Sequence, residues 1–247
     1  MEPDALLELF DATARAIGEA VHNIPAATRR DRTDKPGQYA LDLVADAVAL
    51  EHLRQAPVRI VSEESGVHEH SGAEVTVVVD PVDGSTNCAR GIGYYCTSLC
   101  ALDEDGPLAA LILNHASGTC TTATRGGGAF RAGERLQVAK TTRPQDAVVA
   151  FGYWPTKPIR VKQVRILGSI ALELCDVAAG GLDAHLDVGS FIAPWDYLGG
   201  YLICLEAGAT VRDGQGRSLV TDDPNARRQV IAACTPELAD ALEPAVS

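Results

Sequence analysis

The stretch VVVDPVDGSTNCARG, Val77 to Gly91, ends a valine run with two aspartates three residues apart, followed at once by a glycine and two hydroxyls. The β-branched segment EVTVVVD reads as a strand, so Asp80 and Asp83 follow a strand end. Pro81 stiffens the expected turn, which lets the two carboxylates converge from either side of it. Gly84 permits an unusual backbone angle or a close approach to a ligand. A helix beginning near Ser85 would aim the N–H groups of Gly84, Ser85 and Thr86 outward as an anion site. Carboxylates for a metal beside amides for a phosphate suggest phosphoryl chemistry. Taken alone, the same string is equally a turn or a calcium loop.

Other carboxylates occupy similar places. Asp42 opens a helix, Glu63 and Glu64 end the strand-like run VRIVSEESG, and Asp196 opens a helix behind Pro194 and Trp195. Crowded carboxylates raise one another's pKa, and a bound divalent cation removes that conflict. Oxygen donors favour Mg²⁺, Ca²⁺ or Mn²⁺ over zinc, and no Cys/His cluster competes. Singly, EES reads as a solvated charge cluster and Asp196 as a helix cap. Their ordered combination is what carries weight.

Along the chain, the first 21 residues read as an amphipathic helix, with Leu6, Leu9, Phe10, Ile17 and Val21 near helical spacing. A polar loop follows. Helical periodicity resumes at Asp42, with Leu43, Ala47, Leu50 and Leu53 on or near one face. From Cys96 to Val138, strands broken by Asp-Gly, Ser-Gly and Gly-Gly turns suggest an antiparallel meander. After Thr141, strand and helix alternate through DAVVAFGYW, GSIALELCDVAAGG, LDAHLDVG and PWDYLGGYLICLEAGATV. The expectation is one domain of two closely packed α/β lobes, about 1–141 and 142–247.

Acidic residues outnumber basic ones 33 to 21, for a net charge of −12, which argues against non-specific nucleic-acid binding. No apolar run reaches membrane-span length, and the N-terminus lacks a signal peptide's basic start and apolar core. Seven scattered cysteines without a C-x-x-C pair read as buried free thiols in a reducing cytoplasm.

Glu63–Ser65 (EES), Asp80–Asn87 (DPVDGSTN) and Trp195–Gly200 (WDYLGG) occur in an order that resembles the inositol monophosphatase family, Mg²⁺-dependent and lithium-sensitive sugar phosphatases. TATRGGGAFRAGERLQV and RILGSIALELCDVAAGGLDAHLD also resemble the family, so the likeness runs from about Ala5 to about Thr235. It implies an α+β / α/β fold, the layered αβαβα sandwich. It implies that Glu63, Asp80 and the Val82 carbonyl hold a first Mg²⁺, and Asp80, Asp83 and Asp196 a second. A third, weaker ion would sit near the glutamate, and Mn²⁺ is an alternative metal. Ser85, linked to Asp42, would orient the attacking water, while the amides of Gly84 and Ser85 hold the phosphate; no covalent phosphoenzyme is expected. A homodimer is implied as well.

The sequence departs from the family pattern in places. Ser85 replaces the usual Thr with the hydroxyl kept. GQYAL before Asp42 lacks the usual Val-Thr pair, which leaves Asp46 as a competitor for the same role, and Lys35 loosely matches a loop lysine. Asp187 stands where many members have a sugar-binding glutamate, with a longer spacing to Trp195; this points away from inositol itself. Ser169, before a helix, is a further candidate substrate contact. Arg160, Lys162 and Arg165 are either partners for a second anionic group or solvated. RGGGAF reads as a hairpin turn rather than a phosphate loop, and His68–His70 as surface residues rather than a metal site.

The leading expectation is therefore a phosphomonoesterase acting on a small sugar, polyol or nucleotide phosphate through metal-activated water. Fructose bisphosphate, histidinol phosphate or a 3′-phosphonucleotide are alternative substrates. A metal-binding regulatory subunit is the non-enzymatic alternative.

Overall fold

The valine run is covered on both faces, and this sets the layering of the chain. Val77 and Val79 pack with the first two helices, whereas Val78 packs with two later ones. A strand buried on both sides carries a continuous apolar run, as this one does.

The computed structural model describes residues 1–155 and 157–245. Its first part comprises α1 (Pro3–His22), α2 (Ala40–Leu53), β1 (Arg59–Ser62), β2 (Gly66–His68), β3 (Thr76–Asp83) and α3 (Ser85–Arg90). β4 (Cys96–Asp103), β5 (Gly106–Asn114), β6 (Cys120–Thr124), β7 (Gly128–Arg131) and β8 (Glu134–Arg135) follow. Next come β9 (Val148–Phe151), β10 (Gln163–Arg165), α4 (Ile170–Ala178) and β11 (Ala184–Leu186). The chain continues through α5 (Pro194–Ala207), β12 (Thr210–Asp213), β13 (Val230–Ala233) and α6 (Pro236–Leu242).

The larger sheet has the order β2-β1-β3-β4-β5-β6-β7-β8, and the smaller β10-β9-β11-β13-β12. From β3 to β8 every neighbour is antiparallel, the meander expected from the turn residues. β1 runs parallel to β3, so Glu63 and Asp80 emerge at the same end of the sheet. α1 and α2 cover one face of the large sheet, α4 and α5 fill the space between the sheets, and α6 covers the far face of the small one. These are the five layers of an αβαβα sandwich.

α2 departs from its expected orientation. It begins at Ala40 and buries Leu41, Asp42, Ala45, Asp46, Ala49, Leu50 and Leu53, so Leu50 and Leu53 lie inward as expected while Leu43 is 48% exposed. The helix is turned so that two aspartates face inward, because each finds a donor there. Asp42 accepts the Tyr39 N–H at 2.8 Å, and Asp46 accepts the Ser62 hydroxyl at the end of β1. A buried carboxylate with a hydrogen bond costs far less than one without.

The two glycines of WDYLGG let α5 lie close to both neighbours. A Cβ on Gly199 would stand 3.0 Å from the Ser98 hydroxyl, and one on Gly200 only 2.6 Å from the Leu174 side chain of α4. Gly200→Ala gains helix propensity but must displace Leu174 in a packed core. A net loss of about 1–3 kcal/mol is expected by chemical denaturation. Unchanged or increased stability would contradict this account of the packing.

Candidate functional site

Four carboxylates reach one place from three parts of the chain. Glu63 directly follows β1, and its N–H donates to Val79 O at 3.2 Å. Asp80 lies in β3, is 2% exposed, and accepts the Val82 N–H at 2.9 Å. Between Asp80 and Asp83 the register with β4 slips, since Asp80 faces Ser98 and Asp83 faces Cys96. The expected turn at Pro81 is therefore a bulge within a continuing strand. Proline, with no N–H to give to a ladder, is tolerated there, and its carbonyl accepts the Thr97 hydroxyl at 2.7 Å. Asp196 comes from the first turn of α5, where it accepts the Ala193 N–H at 2.8 Å.

One oxygen from each of Glu63, Asp80 and Asp196 lies within 4.8 Å of the others. Burial pushes Glu63 up to about 7, with Glu64, Asp83 and Asp42 adding to the rise. Burial, then the negative charge of Glu63 and Asp83, pushes Asp80 and Asp196 well above the usual carboxylate range. Among the described residues, no Lys or Arg forms an ion pair with Glu63, Asp80, Asp83 or Asp196. Oxygen donors of one sign, buried at Asp80 and partly buried at Glu63 and Asp196, without a cationic side chain, fit a hard divalent ion such as Mg²⁺ or Mn²⁺.

Asp83 stands just outside this triad. Its Oδ2 accepts the Ser169 hydroxyl at 2.8 Å and the Ala171 N–H at 2.7 Å. Burial raises it to about 6, while these two hydrogen bonds oppose the rise. Ser169 is fully buried and caps α4, and its hydroxyl donates to Asp83.

Gly84 adopts φ +89°, and a Cβ there would stand 3.0 Å from the carbonyls of Gly168 and Tyr94. Both the backbone angle and the close approach require glycine. Ser85 opens α3 and is partly exposed. It makes no hydrogen bond to Asp42, whose Oδ1 is buried without a partner. Burial chiefly raises the Asp42 carboxyl to about 7, against the pull of the Tyr39 N–H. Asp46 accepts the Ser62 hydroxyl through Oδ1, whereas among the described residues Asp42 Oδ1 is a buried oxygen with no hydrogen-bond partner. Lys35 pairs with Glu64 at 3.3 Å, and Gln38 donates to the same oxygen.

Asp187, the other expected substrate contact, lies among buried partners. It is 2% exposed, its Oδ2 accepts the Val230 N–H at 3.2 Å, and its Oδ1 lies 3.4 Å from His185 Nε2. His68 bonds Ser65 and Arg54, as befits a surface residue. The Arg125–Phe130 stretch forms the β6–β7 hairpin, with the amides of Gly126 and Gly128 held by Glu206. Arg165 bonds locally to Val164 and Gln163. Glu173 and His185, which touch at 2.7 Å, had no local signal in the sequence. In ALELC and DAHLD they read as ordinary polar positions, and their pairing exists only across α4 and β11.

Residues 5–247 match the model of the inositol monophosphatase family. The fructose-1,6-bisphosphatase/inositol-1-monophosphatase of Methanocaldococcus jannaschii is 35% identical over 209 residues, 81% of each chain. The fructose-1,6-bisphosphatase of Pyrococcus furiosus is 35% identical over 80% of this chain and 79% of its own. A solved structure from Pyrococcus horikoshii, described as having similarities to inositol-1 monophosphatase, superposes with a TM-score of 0.90 at 26% identity over 100% of both chains. The chain belongs to the inositol monophosphatase family of metal-dependent phosphomonoesterases.

The raised carboxyls give a signed pH dependence. As pH rises from the ordinary carboxylate values toward 7, the unfolded chain releases protons that Glu63, Asp80, Asp83 and Asp196 retain in the fold. The metal-free protein therefore loses stability across that window. The denaturation midpoint in EDTA should be lower at about pH 8 than at about pH 5.5, with Mg²⁺ restoring it and Asp80→Asn reducing the difference. A midpoint that rises over the same interval would refute this.

Proposed function

We propose that the protein hydrolyses the phosphate monoester of a small sugar or polyol with Mg²⁺, by direct attack of water. The observation that carries this reading is the convergence of Glu63, Asp80 and Asp196, with Asp83 alongside, next to the left-handed Gly84 at the start of α3. In this reading Glu63, Asp80 and the Val82 carbonyl would hold one ion, Asp80, Asp83 and Asp196 a second, and a third, weaker ion would sit near Glu63. Mn²⁺ substitutes. Bound Mg²⁺ supplies Lewis-acid chemistry, activating a water and stabilising charge on the departing oxygen.

The chain's own groups do the remaining work. Amides in a first helical turn have no intrahelical acceptor, so those of Gly84 and Ser85 are suited to phosphate oxygens. The Ser85 hydroxyl orients the attacking water, and the unpartnered Oδ1 of Asp42 is the acceptor that fixes or takes its proton. A carboxyl near 7 is suited to exchanging protons at neutral pH. Ser169 and Ala171 hold Asp83 in one rotamer.

Fructose 1,6-bisphosphate and inositol 1-phosphate are the first substrates to assay, since the Methanocaldococcus jannaschii relative is named for both. Histidinol phosphate and a 3′-phosphonucleotide are the further arms. A cytoplasmic homodimer belongs to the same reading; the free, mostly buried cysteines accord with that compartment. No described helix is long and apolar enough to cross a membrane.

Phosphate release that needs Mg²⁺ and disappears with EDTA is the expected result, and no turnover of any arm by a folded, metal-binding protein would sink the proposal. Asp196→Asn should lower kcat by about a thousandfold or more with folding retained. Ser85→Ala should lower it by about a hundredfold or more while Mn²⁺ still binds. Near-normal turnover in either variant removes the role assigned to that residue.

A further inference from the structure

A second row of buried ionisable groups lies outside the carboxylate cluster. Glu173 of α4, His185 of β11 and Asp187 just beyond it are 1%, 0% and 2% exposed. His185 Nδ1 is 2.7 Å from Glu173 Oε2, and its Nε2 is 3.4 Å from Asp187 Oδ1. The flanking strands place Ala150 and Ala232 opposite His185. Among the described residues, the charged groups that contact its ring nitrogens are the two carboxylates.

A neutral imidazole carries one ring proton. With that proton on Nε2, the Nδ1 lone pair would meet the Glu173 carboxylate at 2.7 Å. With it on Nδ1, the other lone pair would face Asp187 Oδ1 at 3.4 Å, and among the described residues neither of these two atoms has a hydrogen-bond partner. The imidazolium alone presents a donor to both. Burial disfavours the charged ring, but the two carboxylates outweigh it and raise His185 to about 10. Gly152 makes room for the row, since a Cβ there would stand 2.1 Å from Asp187 Oδ1.

The row connects to the phosphatase site through one turn. Glu173 Oε1 accepts the N–H groups of Leu167 at 2.9 Å and Gly168 at 3.3 Å. Leu167 O accepts from Asn87 at 2.8 Å, and the Gly168 carbonyl packs on Gly84. Ser169 and Ala171 then hold Asp83. The Asp83–Asn87 half of the DPVDGSTN segment is therefore docked on residues that Glu173 secures.

We propose that His185 is a positioning residue, kept as an imidazolium between Glu173 and Asp187, which fixes the 167–171 turn and through it the carboxylate of Asp83. The consequence for metal affinity rests on the reading of Asp83 as a metal ligand. Without the cation, Glu173 would be a buried charge with no counter-charge, and the turn it secures would loosen.

Two measurements on the full chain test this. In ¹⁵N imidazole NMR at about pH 8, far above the ordinary histidine value, both ring nitrogens of His185 should carry protons. A neutral ring at that pH overturns the proposal. In Mn²⁺ titration, His185→Gln should weaken binding by about tenfold, in the range found for groups that support metal ligands. Glu173→Gln added to it should recover part of that loss, because two amides keep the hydrogen bonds at the 167–171 turn and the charge stranded beside that turn is removed. Wild-type affinity in folded His185→Gln, or no recovery in the double variant, also overturns it. If His185→Gln fails to fold, the NMR result on the wild-type chain decides. Neither readout uses phosphate release, so a wild-type chain that binds no Mn²⁺ counts against the phosphatase reading and leaves the NMR test of His185 standing.

Discussion

Carboxylates gathered out of water repel one another, and the arrangement around the site depends on that repulsion. Glu63, Asp80, Asp83 and Asp196 are brought together by strands and a helix whose own packing is apolar, so the cost of crowding falls on the core. Each of Asp80, Asp83 and Asp196 is restrained by a backbone N–H, at Val82, Ala171 and Ala193 respectively. These hydrogen bonds orient the carboxylates without neutralising them. The charge left over suits the cluster of Glu63, Asp80 and Asp196 to a divalent ion.

The layers explain how such a cluster is kept rigid. β3 is sandwiched between α1–α2 and α4–α5, and α5 delivers Asp196 from the middle layer to the end of the same strand. Gly199 and Gly200 set the depth of α5 against β4 and α4. A helix held further out would carry Asp196 away from Asp80. The packing glycines and the site carboxylate in WDYLGG are thus parts of one device, which is why they stand so close in the chain.

Much of this was legible in the residues. The strand before Asp80, the helix from Ser85, the meander and the αβαβα layering follow from period, turn residues and family resemblance. What misled was periodicity on α2, where Leu43 and Ala47 looked like the inner face. Asp42 and Asp46 occupy that side because hydrogen-bond donors from Tyr39 and Ser62 await them, and a hydropathy pattern counts an aspartate as outward. Ser169 and Asp187 carried the right chemistry for touching a sugar. Their neighbours, Asp83 for one and His185 and Val230 for the other, turn them inward.

The sequence by itself determined which groups the protein has to work with: acidic ligands, a glycine that only a left-handed turn and close contacts explain, and a hydroxyl behind it. These depend on local covalent chemistry and on order along the chain. The tertiary structure alone decided which of them meet. Glu63, Asp80 and Asp196 converge because β1 lies parallel to β3 and α5 lies beneath both. Asp83 is oriented by a turn more than eighty residues away. His185 becomes the bridge of a buried row only because β11 packs beside α4. Contacts of that separation are set by how the layers stack, which no short segment of the chain encodes.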